Sequence, residues 1–210
     1  MQLIGMLDSP YVRRVAISLD LLGVPFEHRA VSVFSTFEQF QQINPVVKAP
    51  SLVCDDGTVL MDSTLILDYA EALTRPRSLL PSAIKERQHT LRVIGLALAA
   101  CEKAVQIVYE RNLRPAEKQH EPWLTRVRGQ LLAAFGSLEQ EIARLPPTLA
   151  VDAITQADVT TAIAWHFTQQ MLPEIVIATE YPMLRALSVN AEKLAAFVVY
   201  PHAGPGVPSK

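Results

Sequence analysis

A short apolar strand, Leu3 to Met6, runs into Leu7-Asp8-Ser9-Pro10-Tyr11-Val12-Arg13-Arg14, and this junction limits the fold more than any other stretch. Proline is favoured at the first helical position, and a serine just before it can accept a hydrogen bond from the unpaired N–H groups of a helix start. The residues therefore predict a strand that ends where a helix begins, with the positive end of that helix facing outward and receptive to an anion. Taken alone, Ser-Pro is an ordinary helix start. Its meaning depends on the residues downstream of it.

Val12, Val15, Ala16, Leu19 and Leu22 recur at helical spacing, and Gly23 closes that helix. Pro25 to Val33 gives a second extended run. Thr36 to Ile43 is weakly helical, with Phe37, Phe40 and Ile43 on one side, and Asn44-Pro45 ends it. Lys48-Ala49-Pro50-Ser51-Leu52-Val53 reads as a strand entered through a proline. Asp55-Asp56-Gly57-Thr58 is a hairpin turn, because Asp-Gly supplies the positive φ that a tight connection needs, and Val59 to Met61 is the partner strand. Asp62-Ser63 then caps a helix whose Ile66, Ala70 and Leu73 face inward. The predicted order over residues 1–75 is β-α-β-α-β-β-α.

Residues 76–84, with Pro76 and Pro81, form a linker, and from residue 85 to 210 strand signals nearly vanish. One helix is predicted from Lys85 to Leu113, with Leu91, Leu98, Ala99, Val105 and Val108 among its apolar positions. A second starts near Glu121-Pro122-Trp123 and carries Val127, Leu131, Phe135, Leu138 and Ile142. Joined by a short loop, these two should pack antiparallel. Ile154-Thr155-Gln156-Ala157-Asp158-Val159 contains a capping box and a hydrophobic staple, opening a helix apolar enough for the centre of an all-helical region. His166 on that helix reads as a satisfied core histidine. Shorter helices are expected around Tyr181 to Ser188 and Ala191 to Val198, and the tail from Pro201, rich in Pro and Gly, is expected to be mobile.

A net charge of −2 over 210 residues gives no basic field for nucleic acid or an anionic membrane. Met1 to Met6 lack the basic start and long apolar stretch of a signal peptide, and no window is long and apolar enough to span a membrane. Cys54 and Cys101 stand far apart, without CxxC or metal-ligand spacing. A cytoplasmic protein without a metal is the expectation.

Taken together, Ser9-Pro10-Tyr11 with Arg13-Arg14, Asn44-Pro45 followed by Lys48-Ala49-Pro50-Ser51-Leu52, Asp62-Ser63, and Thr155-Gln156-Ala157-Asp158 resemble the cytosolic glutathione S-transferase family in its bacterial, serine-type form. The resemblance spans nearly the whole chain. It implies an α/β plus all-α protein, with a thioredoxin-like glutathione-binding domain over residues 1–75 and an all-helical domain over residues 85–210. It further implies glutathione as co-substrate, a small electrophile as the other substrate, and a twofold homodimer.

By the same resemblance, Pro50 is cis and Ala49 pairs its backbone with the cysteinyl unit of glutathione. Ser63 meets the γ-glutamyl carboxylate, Asp62 meets the α-ammonium group, and Lys48 reaches the glycyl carboxylate. Ser9 is the catalytic residue, donating to the sulfur to favour the thiolate. Neither cysteine takes the place of Ser9, which argues against disulfide exchange. Leu7, Tyr11, Tyr109, Arg111 and Arg114 are the candidates for lining the electrophile site. A glutathione-dependent isomerase or dehalogenase and a non-enzymatic binding module of the same fold are the alternatives, and intact Ser9 and Ser63 favour the enzyme. The charge of Asp8 beside Ser9 would oppose a thiolate if it pointed inward.

Overall fold

The structure is a computed structural model that describes residues 1–150 and 153–208. The chain divides into two compact units, the first comprising Met1–Leu79 with Ala195–Gly206, the second centred on Leu80–Leu194. In the first unit, β1 (Gln2–Ile4), α1 (Pro10–Leu22), β2 (Glu27–Arg29), α2 (Phe37–Ile43), β3 (Ser51–Val53), β4 (Val59–Met61) and α3 (Ser63–Leu73) follow the expected order. The sheet runs β2-β1-β3-β4. β1 is parallel to β2, with Leu3 opposite His28, and antiparallel to β3, with Leu3 opposite Leu52. β4 closes the hairpin against β3. This is a thioredoxin-like arrangement followed by helices.

Local signals account for the ends of α1. Ser9 is its N-cap, accepting from the Val12 N–H, and Pro10 is its first residue. At the other end Gly23 takes φ +74°, so that the Gly23 N–H donates to Asp20 and the Val24 N–H to Leu19, the paired pattern of a Schellman stop. The inward face of α1 is as the spacing predicts. Two other faces are corrected. In α2 only Phe40 is buried, joining Ile4 and Val31, while Phe37 lies exposed. In α3, Leu67 is buried beside Ile66 and Ala70, and Leu73 is exposed at the helix end.

Helix α8 (Ala195–Val199) clusters with the first unit, although composition alone places everything after residue 85 in the helical domain. Its anchor is Arg13, which is fully buried. The Arg13 Nε donates to the Tyr200 carbonyl at 2.8 Å, and its guanidinium stands over the Phe197 ring. Tyr200 also stacks on Phe26. In the tail beyond it, expected to be mobile, the Gly206 N–H donates to Asp8 Oδ2 at 2.8 Å; residues 209–210 of that tail lie outside the described residues. Gly204 lies so close to Asp8 that a Cβ there would stand 2.4 Å from the same oxygen, so a side chain at this position would force the Asp8 carboxylate to shift.

The second unit holds α4 (Ile84–Leu113), α5 (Glu121–Arg144), α6 (Gln156–Met171) and α7 (Pro182–Ala191), with 3-10 turns at Ala116–Lys118 and Ala178–Glu180. The buried face of α4 is rotated from the expected one. Val93, Ile94, Ala97, Cys101, Ala104, Ile107 and Val108 are inside, and Leu91 is exposed. Small residues at Ala97, Ala100 and Ala104 let neighbouring helices approach, which an apolar-periodicity reading weights too little. On α5 every expected core position is buried. The capping box at the start of α6 forms as predicted, with the Thr155 N–H donating to Asp158 Oδ2 at 2.8 Å and the Asp158 N–H to Thr155 Oγ1. Burial raises the Asp158 carboxyl pKa, although the hydrogen bonds it accepts from the Thr155 N–H and from the Thr155 hydroxyl oppose the rise. His166 is not sealed in the core. It is partly exposed and paired with Glu192 at 3.2 Å.

An ion cluster ties α4 to α5. Glu141 accepts from Arg92 Nε and from Arg144 Nη2, each at 2.7 Å, with His89 at 3.6 Å. Hydrogen bonds from Arg92 and then Arg144 bring the Glu141 carboxyl down to about 2. The folded state therefore releases this proton more readily than the unfolded chain. The resulting stabilisation is complete above about pH 4.5 and is lost as the pH falls toward 2. Both arginines are well exposed, so screening limits the contribution to about 1 kcal/mol. Urea unfolding at about pH 5 and about pH 2.5 should show the wild type losing about 1 kcal/mol more than Glu141→Gln. An identical pH dependence in the two proteins would remove the cluster from the account of acid stability. Among the described residues, no helix is long and apolar enough to cross a membrane.

Candidate active site

Three backbone features of the first unit converge through specific contacts. The first is the turn before α1. Gly5 has φ +139°, and a Cβ added there would meet Val12 at 2.5 Å and the Ala49 side chain at 3.3 Å, so the β1–α1 turn lies against the Ala49-Pro50 entry to β3. Ser9 completes that turn, with its N–H donating to the Met6 carbonyl. Because Ser9 Oγ accepts from the Val12 N–H at 3.4 Å, the hydroxyl keeps its own hydrogen to donate at the positive end of α1. Asp8, next to it, is engaged by Gly206.

The second feature is the loop from Asn44 to Pro50. Asn44 is buried, accepts from the Val46 N–H at 3.0 Å and donates from Nδ2 to Ser51 Oγ at 2.8 Å. Ser51 in turn donates to the Lys48 carbonyl at 2.8 Å. These bonds give the Asn44-Pro45 and Ser51 positions of the motif a structural purpose, holding the backbone of Lys48 and Ala49 at the strand entry. The Ala49–Pro50 bond is cis. Val47 takes φ +52°, a costly conformation for a β-branched residue.

The third is the N-terminus of α3. Asp62 is its N-cap, with Oδ1 accepting from the Thr64 N–H at 2.9 Å and φ at +74°. Backbone strain of this kind, here on both sides of one loop pair, is characteristic of binding sites. Asp62 Oδ2 also lies 3.7 Å from Lys48 Nζ, so two of the expected ligand-binding side chains pair with each other across the site. Ser63 is the first residue of α3 and is buried. Beneath it, Arg14 Nη1 donates to Ser63 Oγ at 2.9 Å, joining α1 to α3.

Ser9, Lys48, Ala49, Pro50, Asp62 and Ser63 thus all belong to one unit and are linked by these contacts. Of the electrophile-site candidates, Leu7 is buried in the same unit and Tyr11 is partly exposed. Tyr109, Arg111 and Arg114 belong to the second unit, where Arg111 pairs with Glu174 and Arg114 with Glu110. Cys54 and Cys101 are both buried, and neither is in a disulfide. Burial, followed by the charge of Asp56, raises the Cys54 thiol pKa, the opposite of what a nucleophile needs. Among the described residues no group of three or more His, Cys, Asp or Glu side chains could hold a metal ion.

Sequence reasoning misses the roles of Arg13 and Arg14. A signal is present, since two arginines within the first turns of an apolar helix oppose its dipole and, once buried, require partners. The docking of Asp8 to the tail has no comparable signal.

A four-stranded sheet with a serine-capped helix start, a cis-proline strand entry and a polar α3 N-terminus, followed by a helical region, defines a thioredoxin-like domain. Residues 3–78 match the family model described as Glutathione S-transferase, N-terminal domain. The chain is 29% identical over 164 residues to the Escherichia coli (strain K12) protein described as uncharacterized GST-like protein YibF, covering 78% of this chain and 80% of that one. It is 28% identical to a glutathione S-transferase of Triticum aestivum, over 99% of this chain and 96% of the wheat protein. A crystal structure of a glutathione transferase family member from Pseudomonas fluorescens Pf-5, with bound glutathione, superposes with a TM-score of 0.83 at 27% identity, over 97% of this chain and 99% of that one. Residues 3–78 thus match a glutathione S-transferase N-terminal domain, and the chain as a whole is similar to glutathione S-transferases.

Proposed function

We propose that this protein is a glutathione transferase that binds glutathione on its first unit and activates it as a thiolate for attack on a small electrophile. The observation that carries the reading is the Ser9 hydroxyl, whose oxygen accepts from the Val12 N–H so that its hydrogen is available at the positive end of α1. Ala49 pairs with the cysteinyl backbone as an added strand would. Ser63 and the α3 N-terminus receive the γ-glutamyl carboxylate, and Asp62 receives the α-ammonium group. Lys48 serves the glycyl carboxylate, its charge shared with Asp62. A free thiol titrates near 8.5, so stabilising the anion raises the reactive fraction at neutral pH. The thiolate sulfur then forms a bond to the electrophilic carbon, and the leaving group departs with its electron pair.

Leu7 and Tyr11 are the first unit's candidates for contact with the electrophile, and Tyr109, Arg111 and Arg114 are those of the second. The reading includes a homodimer, supported by the exposed apolar side chains of Val59 and Met61 on edge strand β4 and Leu65 on α3. Calorimetric titration with glutathione, with ultraviolet difference absorbance recorded in parallel, is expected to show binding accompanied by thiolate absorption. Absence of binding up to about ten millimolar, an affinity weaker than about 3 kcal/mol, would overturn the enzyme reading. Light scattering on the same sample should give twice the chain mass, and a monomer at micromolar concentration would refute the dimer.

A further inference from the structure

Arg14 is a charged side chain sealed inside the first unit, 3% exposed, in a helix whose other buried residues are mostly apolar. Its Nη1 donates to Ser63 Oγ at 2.9 Å and to Thr64 Oγ1 at 3.3 Å, the first two residues of α3. A guanidinium only donates, whereas a hydroxyl has one hydrogen and two acceptor lone pairs. With Arg14 occupying an acceptor position of Ser63 from within, the Ser63 hydrogen is turned away from the guanidinium. The Thr64 hydroxyl is constrained in the same way. The Thr64 backbone N–H is already taken by Asp62, so the polar groups of this helix end are committed in an ordered pattern.

A hydroxyl whose proton direction is fixed binds an anion without first having to reorient, and a buried cation behind it adds attraction that water screens weakly. We propose that Arg14 is a positioning residue for carboxylate recognition. It holds the Ser63 hydroxyl as a donor toward the ligand and places fixed positive charge behind the α3 N-terminus. This rests on the assignment of Ser63 to the γ-glutamyl carboxylate. Its consequence is specific: Arg14 serves one end of the tripeptide and leaves the remainder of glutathione unaffected. An arginine is suited to the task because a single Nη carries two N–H groups, one for each hydroxyl, on a planar group that cannot lose its proton.

The test is calorimetric titration of the full chain with glutathione and with 4-aminobutanoyl-cysteinyl-glycine, the analogue that lacks only the α-carboxylate. The wild type is expected to prefer glutathione. Arg14→Met should lose about tenfold in glutathione affinity and keep its affinity for the analogue within about twofold. Arg14→Lys should fall between them, and Arg14→Met added to Ser63→Ala should cost less glutathione affinity than Arg14→Met costs in the wild type, because only the charge contribution is then left to lose. A merely structural role would weaken both ligands alike, and that result overturns the proposal. Thermal melts identify variants that do not fold. If Arg14→Met is one of them, Arg14→Lys decides, because an unchanged preference for glutathione in that variant also overturns the proposal. A wild type that binds glutathione and the analogue equally refutes the Ser63 assignment itself, and a wild type that binds neither refutes the glutathione reading.

Discussion

Replacing Ser9 by alanine is expected to abolish the thiolate absorbance of bound glutathione at neutral pH and to lower kcat/KM toward a small electrophile by about a hundredfold. A hydrogen bond to a charged group contributes about 1.5–3 kcal/mol. At about 1.4 kcal/mol for each tenfold, this corresponds to roughly one to two units in the pKa of the bound thiol. Ser9 has a second task, however, as the N-cap of α1. Alanine there should also cost about 1 kcal/mol of stability, whereas glycine at an N-cap costs only a few tenths. Comparing Ser9→Ala with Ser9→Gly therefore separates the cap from the chemistry. Both should lose the thiolate signal, and only the alanine variant should melt earlier. Retention of the signal by Ser9→Gly would assign thiolate stabilisation to the helix end and the neighbouring backbone rather than to the hydroxyl.

Features that act within a few residues are legible in the sequence. The Ser9-Pro10 start, the Gly23 stop, the Asp-Gly hairpin and the Thr155/Asp158 box each close their hydrogen bonds across at most five positions, and each appears where the residues predict it. Features decided by distant partners are not legible. Whether Leu67 or Leu73 is buried depends on what α3 packs against, chiefly α1, and the exposure of Phe37 and Leu91 depends on neighbours that periodicity does not name. Arg13 reaches Tyr200, and Arg14 reaches Ser63 on another helix. The Arg13 bond, together with the bond from Gly206 to Asp8, is why residues 195–206 belong to the first unit despite the flexible composition of the chain from Pro201.

The same contrast sets the expectation for the second unit, where Phe135 is wholly buried on α5. Its ring meets Trp165 edge-on, with centroids 5.5 Å apart and planes at 89°, and it meets Tyr181 at 6.2 Å. Trp165 and Tyr181 also touch each other at 5.7 Å, so three rings from different parts of the sequence close on one point of the core. Phe135→Ala should cost about 3–5 kcal/mol, combining lost transfer energy with a cavity that the helices cannot fill. Phe135→Met keeps much of the volume and forfeits the ring geometry, so its cost should be about 1–2 kcal/mol. The readout is internal to the protein. Of the two tryptophans, Trp165 is 3% exposed and Trp123 is 42% exposed, so a red shift in emission reports on Trp165 over a steady background. Urea unfolding followed by that emission should place Phe135→Ala well below Phe135→Met. Equal losses would mean that ring geometry, rather than filled volume, holds the centre of the helical unit.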